Sequence, residues 1–338
     1  MDLNLRSCLT EVLLVEDSSQ VGFARRTAQK LAEQIGFDAT EAGRVALVVT
    51  ELASNLLKHA GRGELHLRIL PRDPHQGLEV LAIDRGPGFD LQACLADGYS
   101  TGGTQGIGLG AVSRQADVFD VYSDSRGAVL LARFFRRLDK AADYRIGVSQ
   151  HSLHNDSACG DVWALSFKGP RISALIIDGL GHGEDAQVAG FAGASSFAQN
   201  PLADPLFSLE DMHHAMQGTR GGAVAVAQFD QADQRLRFVG IGNISASIVS
   251  AEKSRGMASH PGIVGLRYRK AQVFEFSDVS GHLLIMHSDG LQSRWNLRDY
   301  PGLMLRHPAI IAALLHRDYC RGRDDITVLV VALENPHV

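Results

Sequence analysis

The 338-residue sequence has few cysteines and no excess of basic residues, and both absences limit its function. Its four cysteines are scattered, without pairing by spacing or the pattern of a zinc site. That distribution argues against a disulfide scaffold and predicts a reducing compartment, the cytoplasm. Lysine and arginine number 33 against 38 acidic residues, a formal net charge of −5, and no basic run occurs. Nucleic acid is therefore not the expected partner.

Long apolar runs are also missing. No stretch of 18 apolar residues occurs, so no membrane span or membrane partner is expected. The opening stretch MDLNLRSCLTEVLLVED carries acidic side chains within its apolar part, which argues against a secretory signal. Apolar residues make up 45% of the chain and charged residues 21%, values typical of a folded globular protein. The length suits two domains of roughly 100–200 residues each.

The first part of the chain combines helix patterns with strand patterns. Apolar residues recur at helical spacing over 19–37 and again over 38–60, and Ser18 or Ser19 is the expected cap of the first helix. Four strand-like runs follow, ELHLRIL, LEVLAIDRG, VFDVYSD and AVLLARFF. Helices first and an antiparallel-looking sheet after them predict an α+β sandwich.

The basic stretch FFRRLDKAADYR marks a boundary near residue 138, and strand patterns dominate beyond it. Helical stretches in this part are at 184–199, 208–216 and 307–319. Many strands with a few helices predict two sheets packed face to face and flanked by helices. We therefore predict an α+β protein with two domains, over 1–137 and 142–338.

Two polar motifs in the first half suggest a nucleotide site. ELASNLLKHA places Glu51 and Asn55 four residues apart on one helix face, although a solvent-exposed polar stripe has the same spacing. In AIDRGPGF, Asp84 ends an apolar strand pattern, and Gly86 and Gly88 form a tight turn. A carboxylate there can accept a hydrogen bond from the exocyclic amine of adenine, and glycines let a ligand approach the backbone.

A glycine-rich segment, STGGTQGIGLG, follows and leads directly into a helix pattern. Backbone N–H groups at such a helix start favour phosphate. Over residues 10–137, the three motifs in this order resemble the N, G1 and G2 boxes of the GHKL ATPases. The short lid, and the lack of a dimerisation helix with a phospho-accepting histidine, are similar to the anti-sigma-factor serine kinases of the RsbT type.

This resemblance implies a Bergerat fold that binds ATP and Mg²⁺. It implies that Asn55 holds Mg²⁺, that Asp84 reads adenine, and that Glu51 is the base that orients or deprotonates the attacking hydroxyl. Lys58 either contacts a phosphate or faces solvent, and His59 is interpreted as structural. The remaining implied nucleotide-binding residues are Gly86, Gly88, Thr104, Gly106, Gly108 and Gly110.

The second half has acidic residues wherever certain apolar strand patterns start or stop. They are Asp161 in CGDVWAL, Asp178 in ALIIDGLGHG, Asp289 in LLIMHSDGLQ, and Asp324 and Asp325 in GRDDITVLVV. Each alone can be a turn-former at a strand end. Together, converging from different strands, they predict a site for hard divalent cations, which prefer oxygen ligands. The carbonyl of Gly179 offers a further ligand.

Over residues 142–335, DGLGHG, SDGLQ and RDDITVLVV resemble the metal-dependent PPM-type Ser/Thr phosphatases, in particular the SpoIIE-like branch. The resemblance implies two Mn²⁺ or Mg²⁺ ions that are bridged by Asp178, with the Gly179 carbonyl on one of them. It implies in-line attack of water on phosphoserine or phosphothreonine. The metal shells are completed by Asp161, Asp289 and Asp324, with Asp325 ordering the turn.

Three further residues near these motifs have alternative interpretations. His182 either protonates the leaving serine oxygen or holds the glycine turn. Many members of the phosphatase family have their histidine directly after Asp-Gly, whereas His182 lies three residues after Gly179. Arg220 either contacts phosphate or flanks a turn. Asn243, in GIGNISA, resembles a Gly-Asn turn of the family and is interpreted as structural.

The two resemblances predict one chain with opposed activities, a kinase and a phosphatase that act on the same or a related partner. By resemblance, that partner is a small STAS-domain protein of a partner-switching cascade, and a homodimer is an open alternative. Another hypothesis is that the N-terminal domain binds a sigma factor or STAS protein in a nucleotide-dependent way without kinase turnover. A third makes the C-terminal domain a sensor or scaffold with an inactive metal site.

Overall fold

A computed structural model of the chain describes residues 2–71, 76–89, 108–136 and 143–334. The chain forms two compact units, and neither is continuous in sequence. The N-terminal unit comprises Thr10–Asp143 and Asp299–Leu314, and the C-terminal unit comprises Met1–Leu9, Tyr144–Arg298 and Leu315–Val338. The chain thus passes between the units at more places than the single boundary predicted near residue 138.

The described part of Thr10–Asp143 contains three α-helices. They are α1 (Ser18–Gln34), α2 (Ala39–Asn55) and α3 (Leu109–Gln115). Asp17, rather than either serine, caps α1, because its carboxylate accepts the backbone N–H of Ser19 at 2.8 Å. Asp38 caps α2 in the same way, and Glu41 bonds back to the backbone N–H of Asp38 at 3.0 Å.

The N-terminal unit also contains a five-stranded antiparallel sheet in the order β2-β3-β4-β6-β5. Its strands are β2 (Glu11–Val15), β3 (Gly63–Leu70), β4 (Gly77–Ile83), β5 (Val118–Asp124) and β6 (Gly127–Phe134). Apolar side chains of the helices and of one sheet face form a single core, including Ala28, Leu52, Leu65 and Leu130. The predicted sandwich of a helical layer on an antiparallel sheet is confirmed.

Two larger antiparallel sheets form the C-terminal unit, with a two-stranded one beside them, β14 (Gly262–Ile263) and β15 (Arg267–Tyr268). The six-stranded sheet contains β1 (Asp2–Arg6), β8 (Asp161–Lys168), β9 (Arg171–Gly179), β10 (Gly222–Asp230), β11 (Arg235–Ile241) and β16 (Phe274–Ser277), in that order. The five-stranded sheet contains β13 (Ser254–Met257), β12 (Ser245–Val249), β17 (Leu283–His287), β18 (Ile326–Ala332) and β7 (Ile146–His151), also in spatial order.

The two larger sheets share one core, to which Trp163, Ile176 and Leu284 contribute. The outer face of the six-stranded sheet is also buried, under α4 (Glu184–Gln199) and α5 (Pro205–Ala215). Because both faces of β8 and β9 are covered, these strands read as continuous apolar runs. The predicted pair of sheets flanked by helices is confirmed, and a further helix, α6, covers Pro308–Tyr319.

The first strand of the chain belongs to the C-terminal unit. β1 pairs antiparallel with β8, and Leu5 lies in the core between the sheets. In sequence it precedes the whole N-terminal unit, so the chain contributes one strand to the second unit before it builds the first. Among the helices that the structure describes, none has both the length and the apolar character that a bilayer crossing requires.

Candidate active sites

The first site begins at the C-terminal end of α2. Glu51 and Asn55 lie one turn apart on this helix, so their side chains share one face. Burial raises the pKa of Glu51, while the positive charge of nearby Lys58, the side chain of Asn55 and the charge of His59 oppose that rise. Lys58 and His59 are exposed on a π-helical turn, Leu56–Ala60, that continues α2. Such turns often occur at functional sites.

The loop after β4 holds Asp84 in a fixed orientation. The Oδ1 atom of Asp84 accepts the backbone N–H of Gly86 at 2.8 Å and that of Ala128 at 3.2 Å. Gly88 has a φ of 72°, and a Cβ there would lie 2.1 Å from the carbonyl oxygen of Asp124. Only glycine fits this position, so the second glycine of the motif shapes the loop around the carboxylate.

Packing brings these pieces together. A Cβ added to Gly86 would lie 2.8 Å from the Cβ of Ala60, so the Asp84 loop contacts the end of the π-helical turn. α3 packs on α2, and Gly108 stands at its N-cap without offering a side-chain cap. Gly110 lies in the first turn of that helix. Thr104 and Gly106 lie outside the described residues.

The second site lies at one end of β8 and β9. Asp161 and Asp178 are directly opposed across these two strands. Asp161 is 2% exposed, and the hydroxyl of Ser288 donates to its Oδ2 atom at 2.6 Å. Burial raises the pKa of both carboxyls. The negative charges of the neighbouring aspartates raise the pKa of Asp178 further, in the order Asp161, Asp289, Asp324 and Asp325.

Asp289 and Asp324 complete the cluster from two other segments. The side-chain amide of Asn243 donates to Oδ2 of Asp289 at 2.7 Å. Burial raises the pKa of Asp324, the backbone N–H of Asp325 opposes this, and the charge of Asp289 adds to the rise. The exposed His182 lies close enough to lower the pKa of Asp324. Asp161, Asp289 and Asp324 are therefore all near enough to Asp178 to raise its pKa, and His182 lies near Asp324.

Asp325 has a different environment from its neighbour. Its two carboxylate oxygens accept the backbone N–H groups of Leu153 and Gly160, each at 2.6 Å. These bonds tie two loops to the start of β18, which is the turn-ordering role predicted from the sequence. Arg220 is paired with Asp185 at 2.6 Å, and both side chains are largely exposed.

The four-aspartate cluster suits divalent cations. Within the described part of the chain, no lysine or arginine forms an ion pair with Asp161, Asp178, Asp289 or Asp324. Several carboxylates that are buried together repel one another unless a cation neutralises them. Hard oxygen donors from several strands are the ligand set that Mg²⁺ and Mn²⁺ prefer. Gly179 directly follows Asp178 and is the last residue of β9.

Two supporting side chains had no clear signal in the sequence. Ser288 was visible only as the residue before an Asp-Gly pair, and Asn243 was interpreted as part of a turn. Each donates a hydrogen bond to one aspartate of the cluster. Ser288 stands directly before a strand-end aspartate, and Asn243 lies on the loop just before β12, the neighbour of the strand that Asp289 follows. A hydroxyl or amide at such a position is the pattern that would have indicated them.

Comparisons with known proteins agree with the first site. Residues 14–134 match the family model described as a histidine kinase-like ATPase domain, HATPase_c_2. The serine/threonine-protein kinase RsbT of Bacillus subtilis (strain 168) is 34% identical over 101 residues, which cover 30% of this chain and 76% of RsbT. The serine-protein kinase RsbW of Bacillus pumilus (strain SAFR-032) is 26% identical over 143 residues, 38% of this chain and 87% of RsbW.

A solved structure reported as "The bacterial stressosome: a modular system that has been adapted to control secondary messenger signaling" is also similar. It matches with a TM-score of 0.52 and 26% sequence identity over 56% of this chain and 98% of that chain. This share exceeds the whole N-terminal unit, so the similarity includes the C-terminal unit. The chain therefore belongs to the family of RsbT-like serine/threonine-protein kinases with a histidine kinase-like ATPase domain, and it joins that domain to a second unit of two packed antiparallel sheets flanked by helices.

Proposed function

We propose that this chain is a partner-switching regulator with two opposed activities. Its N-terminal unit phosphorylates a serine or threonine of a STAS-domain protein with ATP and Mg²⁺, and its C-terminal unit removes phosphate from the same or a related protein. The observation that carries this proposal is the presence, in one chain, of the Glu51–Asn55 pair and the four-aspartate cluster. We also propose that the reaction takes place in the cytoplasm, where ATP is available to the kinase.

In the kinase reaction, Asn55 would hold Mg²⁺, which when bound would supply charge neutralisation for the phosphates. Asp84, fixed by two backbone N–H groups, would accept the amine of adenine. Glu51 would accept the proton of the attacking hydroxyl, and its raised pKa makes it a stronger base than an exposed carboxylate. Gly108 and Gly110 leave the start of α3 open to a phosphate group. Lys58 would contact that phosphate from the π-helical turn.

In the phosphatase reaction, Asp161, Asp178, Asp289 and Asp324 would hold two Mn²⁺ or Mg²⁺ ions with the carbonyl of Gly179. When bound, the ions supply Lewis-acid chemistry for hydrolysis of the phosphoester. Ser288 and Asn243 orient two of the carboxylates through hydrogen bonds at 2.6 and 2.7 Å. His182, beside Asp324, would donate a proton to the leaving serine or threonine oxygen.

The kinase hypothesis is favoured over a binding module without turnover by one feature of the first site. A module that only binds nucleotide has no use for a base, whereas Glu51 is partly buried, beside Lys58, and has a raised pKa. Buried carboxylates are costly, so their presence beside a nucleotide site favours a chemical role. The second site contains all four expected aspartates, which favours an active phosphatase over a scaffold.

A single labelling experiment tests both activities together. We expect the full-length chain carrying Asp178→Asn to transfer ³²P from γ-labelled ATP to a serine or threonine of a STAS-domain protein, and the label to accumulate. With wild-type chain and Mn²⁺, the labelled protein should lose its phosphate. Stable binding of the STAS protein without label in either variant would instead support the binding module.

A further inference from the structure

We propose that a groove beside the four-aspartate cluster binds acidic side chains that flank the phosphorylated residue of the substrate. The groove, here called the arginine groove, lies entirely within the C-terminal unit. Its lining residues are Asp289, Gln292, Ser293, Arg294, Cys320, Arg321, Arg323 and Asp324. Two of these, Asp289 and Asp324, also belong to the cluster, so the groove opens directly from the reaction site. The inference rests on the proposed phosphatase activity and names its substrate class.

The walls of the arginine groove are held together by the backbone. The N–H of Arg321 donates to the carbonyl of Gly290 at 2.9 Å, and the N–H of Gln292 donates to the carbonyl of Tyr319 at 2.9 Å. One wall continues from Asp289 and the other leads to Asp324. The positions of the arginine backbones are therefore fixed relative to the cluster.

The charge of the arginine groove points to an anionic ligand. Elsewhere in the C-terminal unit, Arg235 is paired with Glu275 at 3.3 Å. Arg294, Arg321 and Arg323 are exposed, and none forms an ion pair with another residue that the structure describes. Once two divalent ions balance four carboxylates, three guanidinium groups leave the groove positive. Guanidinium groups bind carboxylates through paired hydrogen bonds.

The position of the arginines favours flanking side chains over the transferred phosphoryl group. The aspartates would hold the ions at which the phosphoryl group reacts, whereas Arg294 follows Asp289 and both Arg321 and Arg323 precede Asp324 along the lining segments. A peptide that places its phosphoserine at the cluster passes neighbouring residues along this groove. Acidic residues next to the phosphoserine therefore meet Arg294, Arg321 or Arg323, which become specificity-determining residues.

The test uses the full-length chain with Mn²⁺ and two phosphoserine peptides, one with acidic flanking residues and one with alanines in their place. We expect the wild-type kcat/KM for the acidic peptide to be about tenfold higher or more, since each exposed charge pair contributes up to roughly fivefold. In the triple variant Arg294→Ala, Arg321→Ala, Arg323→Ala, this ratio should fall close to one. Arg235→Ala, which removes an exposed arginine elsewhere in the same unit, should preserve it.

Other outcomes of the same experiment overturn the proposal. Equal kcat/KM for both peptides in the wild-type chain does so, and so does a ratio that survives the triple substitution. A KM for p-nitrophenyl phosphate that rises as much as that of the acidic peptide would assign the arginines to the transferred phosphoryl group. If no substrate is hydrolysed, the proposed phosphatase fails, and fluorescence anisotropy of a labelled acidic peptide decides the groove. Binding must then weaken in the triple variant only.

A different observation carries a second inference. We infer that nucleotide binding and metal-ion binding are coupled through residues 299–314, here called the strap. The strap lies between Asp289 and Asp324 in sequence, yet it packs as part of the N-terminal unit. The N-terminal unit therefore holds a segment whose two ends lead to Asp289 and to Asp324.

The strap is held by specific contacts with β5 and the turn after it. The guanidinium of Arg126 donates to the carbonyl of Asp299 at 2.8 Å and lies 3.8 Å from the ring centroid of Tyr300. The carboxylate of Asp120 accepts the backbone N–H of His307 at 2.6 Å. Cation–π and charge-assisted bonds of this kind fix the strap relative to the sheet.

The turn that holds the strap also contacts the Asp84 loop. A Cβ on Gly127 would lie 2.1 Å from the carbonyl oxygen of Asp84, and one on Gly88 would lie 2.1 Å from that of Asp124. Because these contacts are so close, we expect the Asp84 loop and the turn at 124–127 to move together. A nucleotide that shifts the Asp84 loop therefore shifts Arg126, the strap and the segments that lead to the aspartates.

Coupling of this kind is reciprocal, which gives two readouts. Saturating ADP should change the half-activating free Mn²⁺ concentration for p-nitrophenyl phosphate hydrolysis by about fivefold or more. Mn²⁺ should change the affinity for a fluorescent ADP analogue by the same factor. Asp178→Asn should abolish the change in ADP affinity that comes from Mn²⁺ bound at the four-aspartate cluster. Arg126→Ala should reduce both changes, whereas Arg235→Ala should not. An ADP affinity with the same Mn²⁺ dependence in wild type and Asp178→Asn overturns the inference, whether or not the phosphatase is active.

Discussion

Replacing Asp178 with asparagine is expected to abolish the phosphatase activity of the full-length chain while its kinase activity persists. Asp178 is the aspartate whose pKa is raised by burial and by all the other carboxylates of the cluster, so it lies where their charges converge. Asparagine has the same shape but cannot neutralise a divalent ion at that point. We expect a loss of at least about 10³-fold, roughly 4 kcal/mol of activation free energy.

A stability measurement separates loss of ion binding from loss of fold. Mn²⁺ at about 100 times its dissociation constant should stabilise the wild-type chain by roughly 2.7 kcal/mol, seen as a rise in Tm. Asp178→Asn should lose most of this rise. Without metal, the variant should be at least as stable as wild type, because burial and repulsion disfavour the charged carboxylate in the folded state.

The matched control is Asp230→Asn. Asp230 ends β10, the neighbour of β9, and its Oδ1 atom accepts the backbone N–H of Ala232 as an ordinary turn-former. This variant should retain both the phosphatase activity and the response of Tm to Mn²⁺. Undiminished phosphate release by Asp178→Asn would show that the four-aspartate cluster is not the reaction site.

The sequence predicted the cluster because strand-end aspartates have a local signal. Each of the four follows or precedes an apolar run, and the geometry of antiparallel strands then places Asp161 directly opposite Asp178. Their supporting bonds could not be predicted in the same way. The contact between Asn243 and Asp289 joins two separate loops, and neither loop has a periodic pattern that fixes its path.

Local sequence patterns also could not predict that each unit contains segments from separate parts of the chain. β1 covers five residues, Asp2–Arg6, and a strand of that length carries no information about its partner. It pairs with β8 because that edge of the six-stranded sheet is available, which depends on the complete fold. Likewise, 307–319 was predicted to be helical, but the packing of its first part in the N-terminal unit depends on contacts with Asp120.

Replacing Glu51 with glutamine is expected to remove phosphoryl transfer while nucleotide binding is retained. Glutamine keeps the size of the side chain and can hydrogen-bond with a neighbouring amide, but it cannot accept the proton of the attacking hydroxyl. We expect kcat for labelling of the STAS-domain protein to fall by about 10²–10⁴-fold, the usual contribution of a general base. The affinity for ADP should change by less than about twofold, which fluorescence titration measures.

Glu33→Gln provides the control for this substitution. Glu33 is exposed on α1 and bonds to the side chain of Gln29, so the same chemical change there should leave transfer unaffected. If Glu51→Gln lowers kcat and leaves ADP affinity intact, the carboxylate acts in the transfer step and the N-terminal unit is a kinase. A parallel loss of ADP affinity would mean that Glu51 supports the nucleotide site through Asn55 instead. Unchanged labelling would exclude Glu51 as the base, because no amide can take that proton.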